Sequence, residues 1–423
     1  THSTNTMQKK NIEMVNVDIH SFTADNLTPD TSYEFSVVAL DDSGNPNWRH
    51  GFCSASTCSC PRKYLILQIL VPVRLIHPYR SYDDGINRFI EENTKAIQAA
   101  IDACTEGGKV VVPSGIFMSG ALYLKSNMTL ELEKGAVLFG SPNADHYDSN
   151  YLLYPYSTDT RSWALINAYS SDEGGMLENI RITGEGTIDG NGWKYGEEDD
   201  INGDGYSMFY QDRQAADPED KAYRLPRWVS GNSKKLYTTP FETSLGILAS
   251  DATLKAKEKG LSEKVAYNNR PNLIVIRGTE NVYIGDITVR NPAFHTVAVL
   301  DSKNVTSNNV KYTTYDSNNA DGIELGNTQN AIVFNNFFDT GDDSVNFATG
   351  MGKGVQDCEQ KPSQNIWTFN NFLREGHGGA IAAGSHTGAG ICNMLVEDNV
   401  LNHSDMPFRF NLLLPTEEAY GMC

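Results

Sequence analysis

Three carboxylates define the chemistry that this chain could carry. Asp321 is followed by the adjacent pair Asp342 and Asp343, in a stretch from Asn318 to Phe347 that reads NNADGIELGNTQNAIVFNNFFDTGDDSVNF. Gly376, His377 and Gly378 come next, and Arg409 lies further on. Breaking a sugar bond requires a proton for the leaving oxygen and an activated water on the opposite face, and paired carboxylates supply both. A guanidinium offers a planar fork suited to a substrate carboxylate. His377 has steric room between its glycines. Adjacent strand residues point to opposite faces, so a kink permitted by Gly341 is expected to turn both Asp342 and Asp343 into one cleft. Three clustered carboxylates raise one another's pKa, which favours keeping one of them protonated near neutral or mildly acidic pH.

The elements that position these residues show an internal repeat. Five segments begin with Asn281, Asn304, Asn330, Asn365 and Asn393, and each carries Asp or Asn five positions on: Asp286, Asn309, Asn335, Asn370 and Asp398. An earlier coil is visible around Asn179 in ENIRITGEGTI. Stacked turn-forming asparagines and apolar residues two apart predict an all-β chain, a right-handed parallel β-helix built as a single-stranded solenoid. Ahead of it, Asn93 or Thr94 caps a helix in which Ile97, Ala100, Ile101 and Cys104 share a face, ended by Gly107-Gly108 and covering the open first edge. Residues 190–270 break the rhythm and read as an inserted lobe, either walling one end of a groove or a decorative insertion.

Before the helix, Tyr33, Phe35, Val37 and Ala39 alternate as a half-buried strand ended by a turn at Asp41 to Gly44. This part resembles the penultimate strand of a fibronectin type III module, so residues 1–60 read as a short β fragment of that kind. Residues 61–82 read as a linker, with 47–82 irregular, and 83–423 as the solenoid domain. The repeat ends with FRFNLLLPTEEAYGMC, which reads as no coil, and the coils beyond Arg409 are expected to be missing.

Composition narrows the partners. The chain has 423 residues, 53 acidic against 34 basic, for a formal net charge of −19. That balance argues against nucleic acid or an anionic membrane, while leaving room for a basic cleft on an acidic body. The seven cysteines are scattered and declare no disulfide framework, and FCSASTCSC lacks a second ligand pair, so no metal or other cofactor is expected. The apolar run Tyr64 to Val73 is too short to span a bilayer.

With the motifs in hand, the chain resembles glycoside hydrolase family 28, the polygalacturonases. Asn319-Ala-Asp321-Gly, Gly341-Asp342-Asp343 and Gly376-His377-Gly378 match three signature motifs in the family's order. The fourth, Arg-x-Lys, falls at Arg409-Phe410-Asn411, with Asn411 in place of lysine. NTKAIQAAIDAC and GTIDGNGW match the family's opening coils. The N-terminal fragment and the long insertion are more like its bacterial exo-acting branch. The resemblance implies inverting hydrolysis of polygalacturonate, with Asp342 as general acid, Asp321 and Asp343 positioning the water, and His377 holding the acid's proton state. It implies substrate contacts from Arg409, Asn319, Asn411, Gly376 and Gly378, with Arg290, Arg374 and His386 as further basic candidates. A secreted or periplasmic monomer is expected. A pectate lyase on a similar solenoid and a non-catalytic carbohydrate-binding β-helix are the alternatives.

Overall fold

The computed structural model describes residues 32–40, 46–56, 63–66, 84–192 and 271–412, less 142, 148–150, 153–159, 171–174, 315–316, 318, 351–359, 375–377, 403 and 405. The inserted lobe lies almost wholly outside the described residues.

Three long parallel sheets form the solenoid, one of nine strands and two of eight. The chain visits them in turn: Thr279–Gly285 in the first sheet, Thr288–Arg290 in the second, Val297–Leu300 in the third, then Lys303–Asn308 back in the first. Each strand pairs in parallel with its counterpart one coil away, as Val282 does with Val305 and Val305 with Ala331. The expected right-handed parallel β-helix is the fold found.

The repeated asparagines stack as expected. Asn179, Asn281, Asn304, Asn330, Asn365 and Asn393 all have positive φ, a conformation that Asn tolerates better than most residues. Each side-chain amide donates to the Asn one coil below, as Asn330 does to Asn304 at 3.2 Å and Asn365 to Asn330 at 3.0 Å. These residues lie inside the first-sheet strands, so they act as bends within a strand. The positions five residues on also have positive φ and form a second column. A third column, Asn336, Asn371 and Asn399, turns inward: Asn371 and Asn399 each accept from the backbone N–H and amide of the Asn one coil below. Apolar residues fill the remaining interior from Ile97 to Ile391, and Tyr312 and Phe338 stack inside it at 4.4 Å with both rings fully buried.

Three expectations need correction. The helix begins at Asp84 and runs to Ala103, so Asn93 and Thr94 sit within it. They serve packing instead: Asn93 donates to the Met118 carbonyl, and the Thr94 hydroxyl donates to Ile90 O and accepts from Gly120 N. The stretch 47–82 is not wholly irregular. Pro46–Ser56 pairs antiparallel with Ser32–Leu40, while Lys63–Ile66 joins the first solenoid sheet beside Gly108–Val112. The helix therefore packs over the other two sheets, against Gly115–Ser119 and Leu122–Tyr123, with Ile90, Ile97 and Ile101 fully buried. Finally, the stretch after Ser404 does continue the coil: Met406–Leu412 pairs in register with Gly379–Ser385. Its apolar residues Met406, Phe408 and Phe410 are exposed.

Candidate active site

The turns that lead from the second sheet into the third bring the carboxylates together. Asp321 precedes the strand Ile323–Gly326, the pair Asp342 and Asp343 precedes Val345–Phe347, Gly378 precedes Gly379–Ser385, and Arg409 lies in Met406–Leu412. These four strands are consecutive neighbours in the third sheet, with Ile323 paired to Val345, Val345 to Ile381 and Ala382 to Arg409. Glu324, Asn346, Ala382 and Arg409 thus form one row across the sheet beside the aspartates.

Every carboxyl in the cluster is held. The Asn319 amide donates to Asp342 Oδ2 at 3.2 Å, and the Asp343 backbone N–H donates to Asp342 Oδ1 at 3.0 Å. The Gly379 N–H donates to Asp343 Oδ1 at 2.5 Å, and Arg409 Nη1 approaches the same oxygen at 3.4 Å and Asp342 Oδ1 at 3.9 Å. Asn346 donates to Asp321 Oδ2 at 3.1 Å. Exposure grades across the cluster, with side-chain values of 6% for Asp321, 10% for Asp343 and 16% for Asp342. Asp342 is the carboxyl that most faces solvent.

Burial raises the carboxyls that lie deepest. Burial first, then the charge of Asp342, pushes Asp343 up to about 6, against the lowering pull of the Gly379 N–H and Arg409. Burial and then the Asp343 charge hold Asp321 well above the usual carboxylate range, opposed by Asn346 and Arg409. The cluster therefore retains a proton in mildly acidic conditions. The raised groups are Asp321 and Asp343, beside the more open Asp342.

Two glycines matter through space. The aspartate pair lies in a bend ahead of the strand, and Gly341 has no positive φ. Its lack of a side chain lets it seat against the Ser317 and Thr314 carbonyls, where a Cβ would collide. A Cβ at Gly378 would strike the carboxyl oxygens of both Asp342 and Asp343. His377 and Gly376 lie outside the described residues, as does the Asn411 side chain.

The further basic candidates fall in different places. Arg290 and Arg374 end second-sheet strands that feed the same row of turns, and Arg290 is paired with Asp189 at 2.7 Å. His386 follows Ser385, at the far end of its strand from Gly378, and is not brought to the cluster.

The sequence reading missed His295 and Glu324. His295 Nδ1 lies 3.3 Å from Asp321 Oδ2 and 3.5 Å from Glu324 Oε2, with the Glu324 side chain only 1% exposed. A signal for His295 was present once register is known. His295, Asp321 and Asp343 each stand two positions before the paired residues Val297, Ile323 and Val345, so they occupy one column.

Residues 246–411 match the family model for glycosyl hydrolases family 28. The chain is 41% identical over 389 residues to an exo-poly-alpha-D-galacturonosidase from Dickeya chrysanthemi, covering 91% of this chain and 58% of that protein. Its fold is similar to that of a family 28 exopolygalacturonase from Yersinia enterocolitica, with a TM-score of 0.72, 40% identity, and coverage of 94% of this chain and 65% of that one. A polygalacturonase from Erwinia carotovora ssp. carotovora shares the fold with a TM-score of 0.52 at 22% identity, covering 80% of this chain and 75% of that one. The chain thus spans less than two thirds of the Dickeya chrysanthemi and Yersinia enterocolitica relatives.

Proposed function

The chain carries a domain of the family 28 glycosyl hydrolases, and on that premise we propose that it hydrolyses the α-1,4-galacturonosidic bonds of polygalacturonate with inversion, acting from a chain end. The observation that carries this reading is the gathering of Asp321, Asp342 and Asp343 beside Arg409 on consecutive strands of one sheet. Asp342, the carboxyl most open to solvent, delivers the proton to the leaving oxygen. Asp321 and Asp343 position the water on the opposite face, in the two-carboxylate scheme of inverting glycosidases. His377 holds the proton state of the acid, as its motif implies. Arg409 binds the uronate carboxylate by exchanging its contacts with Asp342 and Asp343 for a bidentate pair with substrate. Asn319 orients Asp342, and Asn411, Gly376 and Gly378 complete the substrate contacts.

Exo action is supported by the exo-acting relatives and by the place of the insertion. Its two ends, at Gly192 and Pro271, leave and rejoin the solenoid at the turn between the second and third sheets, in the row that carries Asp321 two coils on and Asp342 and Asp343 three coils on. The pectic substrate lies outside cells, and Cys392 is disulfide-bonded, as suits an oxidising compartment. No helix among the described residues is long and apolar enough to cross a membrane. The protein acts as a secreted or periplasmic monomer, since one chain supplies every group named.

The test is incubation with polygalacturonate, with and without EDTA, followed by reducing-end assay and product chromatography. Saturated mono- or digalacturonate released early and unaffected by EDTA is the expected outcome. Unsaturated, calcium-dependent products indicate a lyase, binding without cleavage indicates a carbohydrate-binding solenoid, and either overturns the proposal. Asp342→Asn is expected to lower turnover by at least about a hundredfold, the scale of a lost general acid, with an unchanged circular dichroism spectrum. Near-normal turnover in that variant would remove Asp342 from the acid role.

A further inference from the structure

His295 belongs to none of the signature motifs, yet it is wedged between two carboxyls. Its Nδ1 stands 3.3 Å from Asp321 Oδ2 and 3.5 Å from Glu324 Oε2. An ionised carboxylate only accepts, so Nδ1 carries the hydrogen whenever Asp321 and Glu324 are charged. Burying Glu324 without a countercharge is expensive, and among the described residues His295 is the basic group against it. The backbone that carries the imidazole is fixed in turn: the His295 carbonyl accepts from Leu273 N at 3.0 Å, and Thr296 N donates to the Asp321 carbonyl at 2.9 Å. Phe294 packs edge-on against the ring at 4.1 Å.

Among the described residues, the Asn346 amide donates to Asp321 Oδ2 and His295 Nδ1 stands 3.3 Å from the same oxygen. We infer that His295 is a positioning residue for the hydrolytic water: its Nδ1–H, braced by the buried Glu324, pins Oδ2 of Asp321 and leaves Oδ1 as the oxygen presented to the water. Among the described residues, the charged groups bearing on this clamp are Asp321, Glu324, Asp343 and Arg409. The kinetic half of this inference rests on the proposed hydrolysis, while the clamp itself does not.

Two measurements test it. With polygalacturonate as substrate, His295→Ala is expected to lower kcat about tenfold or more with KM within about twofold, the pattern of a contact used in the chemical step. His295→Asn places an amide N–H near the position of Nδ1 and is expected to recover most of that loss. Equal effects on kcat and KM, or an Asn variant no better than Ala, would overturn the positioning role. Independently of turnover, the His295 ring is followed by NMR against pH in the whole chain. Glu324→Gln should lower its titration midpoint, as loss of a neighbouring carboxylate requires. A midpoint that does not move overturns the clamp. Absence of any reducing-end release by the unsubstituted chain would sink the hydrolysis reading alone, and the titration then decides the clamp.

Discussion

A carboxyl buried among other carboxyls costs the folded state whenever it ionises, and Asp321 and Asp343 are such groups. The unfolded chain loses its proton from Asp343 near the ordinary value of 3.8, while the folded chain holds it to about 6. Between those values the folded state binds more protons, so stability falls as pH rises through this window and levels off above it. For Asp343 the difference is on the order of 3 kcal/mol, and Asp321 adds to it with the same sign. Asp343→Asn keeps an oxygen for the Gly379 N–H and removes the titration. Its melting temperature should therefore fall less steeply between about pH 4 and 6 than that of the unsubstituted chain, measured by calorimetry. An unchanged slope would mean that Asp343 titrates normally. The aspartates themselves were legible in the sequence because each sits in a short motif with glycine. His295 and Glu324 were not, because a lone histidine before an apolar run looks like a structural residue until strand register places it beside Asp321.

At the scale of elements, the coil was legible because its αL asparagines recur in the sequence as well as in space. The exposed column works by two effects, tolerance of positive φ and an amide ladder, and they can be separated at Asn330. This residue has φ of 59°, donates to Asn304 and accepts from Asn365. Asn330→Ala loses both effects and is expected to cost about 2 kcal/mol in urea unfolding, from a left-handed alanine and the broken ladder. Asn330→Gly keeps the backbone free and loses only the ladder, so about 1 kcal/mol is expected. Equal losses would show that the ladder alone matters. The helix start and the last coil were harder to read for a physical reason. Asn93 and Thr94 have the chemistry of caps, but in the structure their polar groups satisfy the backbone of the first coil. Met406–Leu412 follows none of the Asn signals because it belongs to the third sheet, whose strands start from the turns that carry the aspartates.

At the scale of the whole molecule, the acidic body and the proposed substrate carry the same sign of charge. The net charge of −19 repels a polygalacturonate chain over distances set by the Debye length, about 30 Å at 0.01 M salt and about 10 Å at 0.1 M. Arg409, with its side chain 34% exposed and lodged against two carboxyls, attracts a uronate only at close range, where salt screens less. The two effects respond oppositely to added salt, and their balance depends on substrate length. For the polymer, repulsion spread over many uronates dominates at low salt, so KM should fall as sodium chloride rises from about 10 to about 100 mM. For trigalacturonate, only a few charges approach the body, and KM should stay level or rise slightly as the Arg409 contact weakens. Initial rates on both substrates across that range make the comparison, with kcat as the internal control. A KM for the polymer that climbs steadily with salt would mean that local basic contacts govern capture, and that the acidic surface lies too far from the groove to be felt.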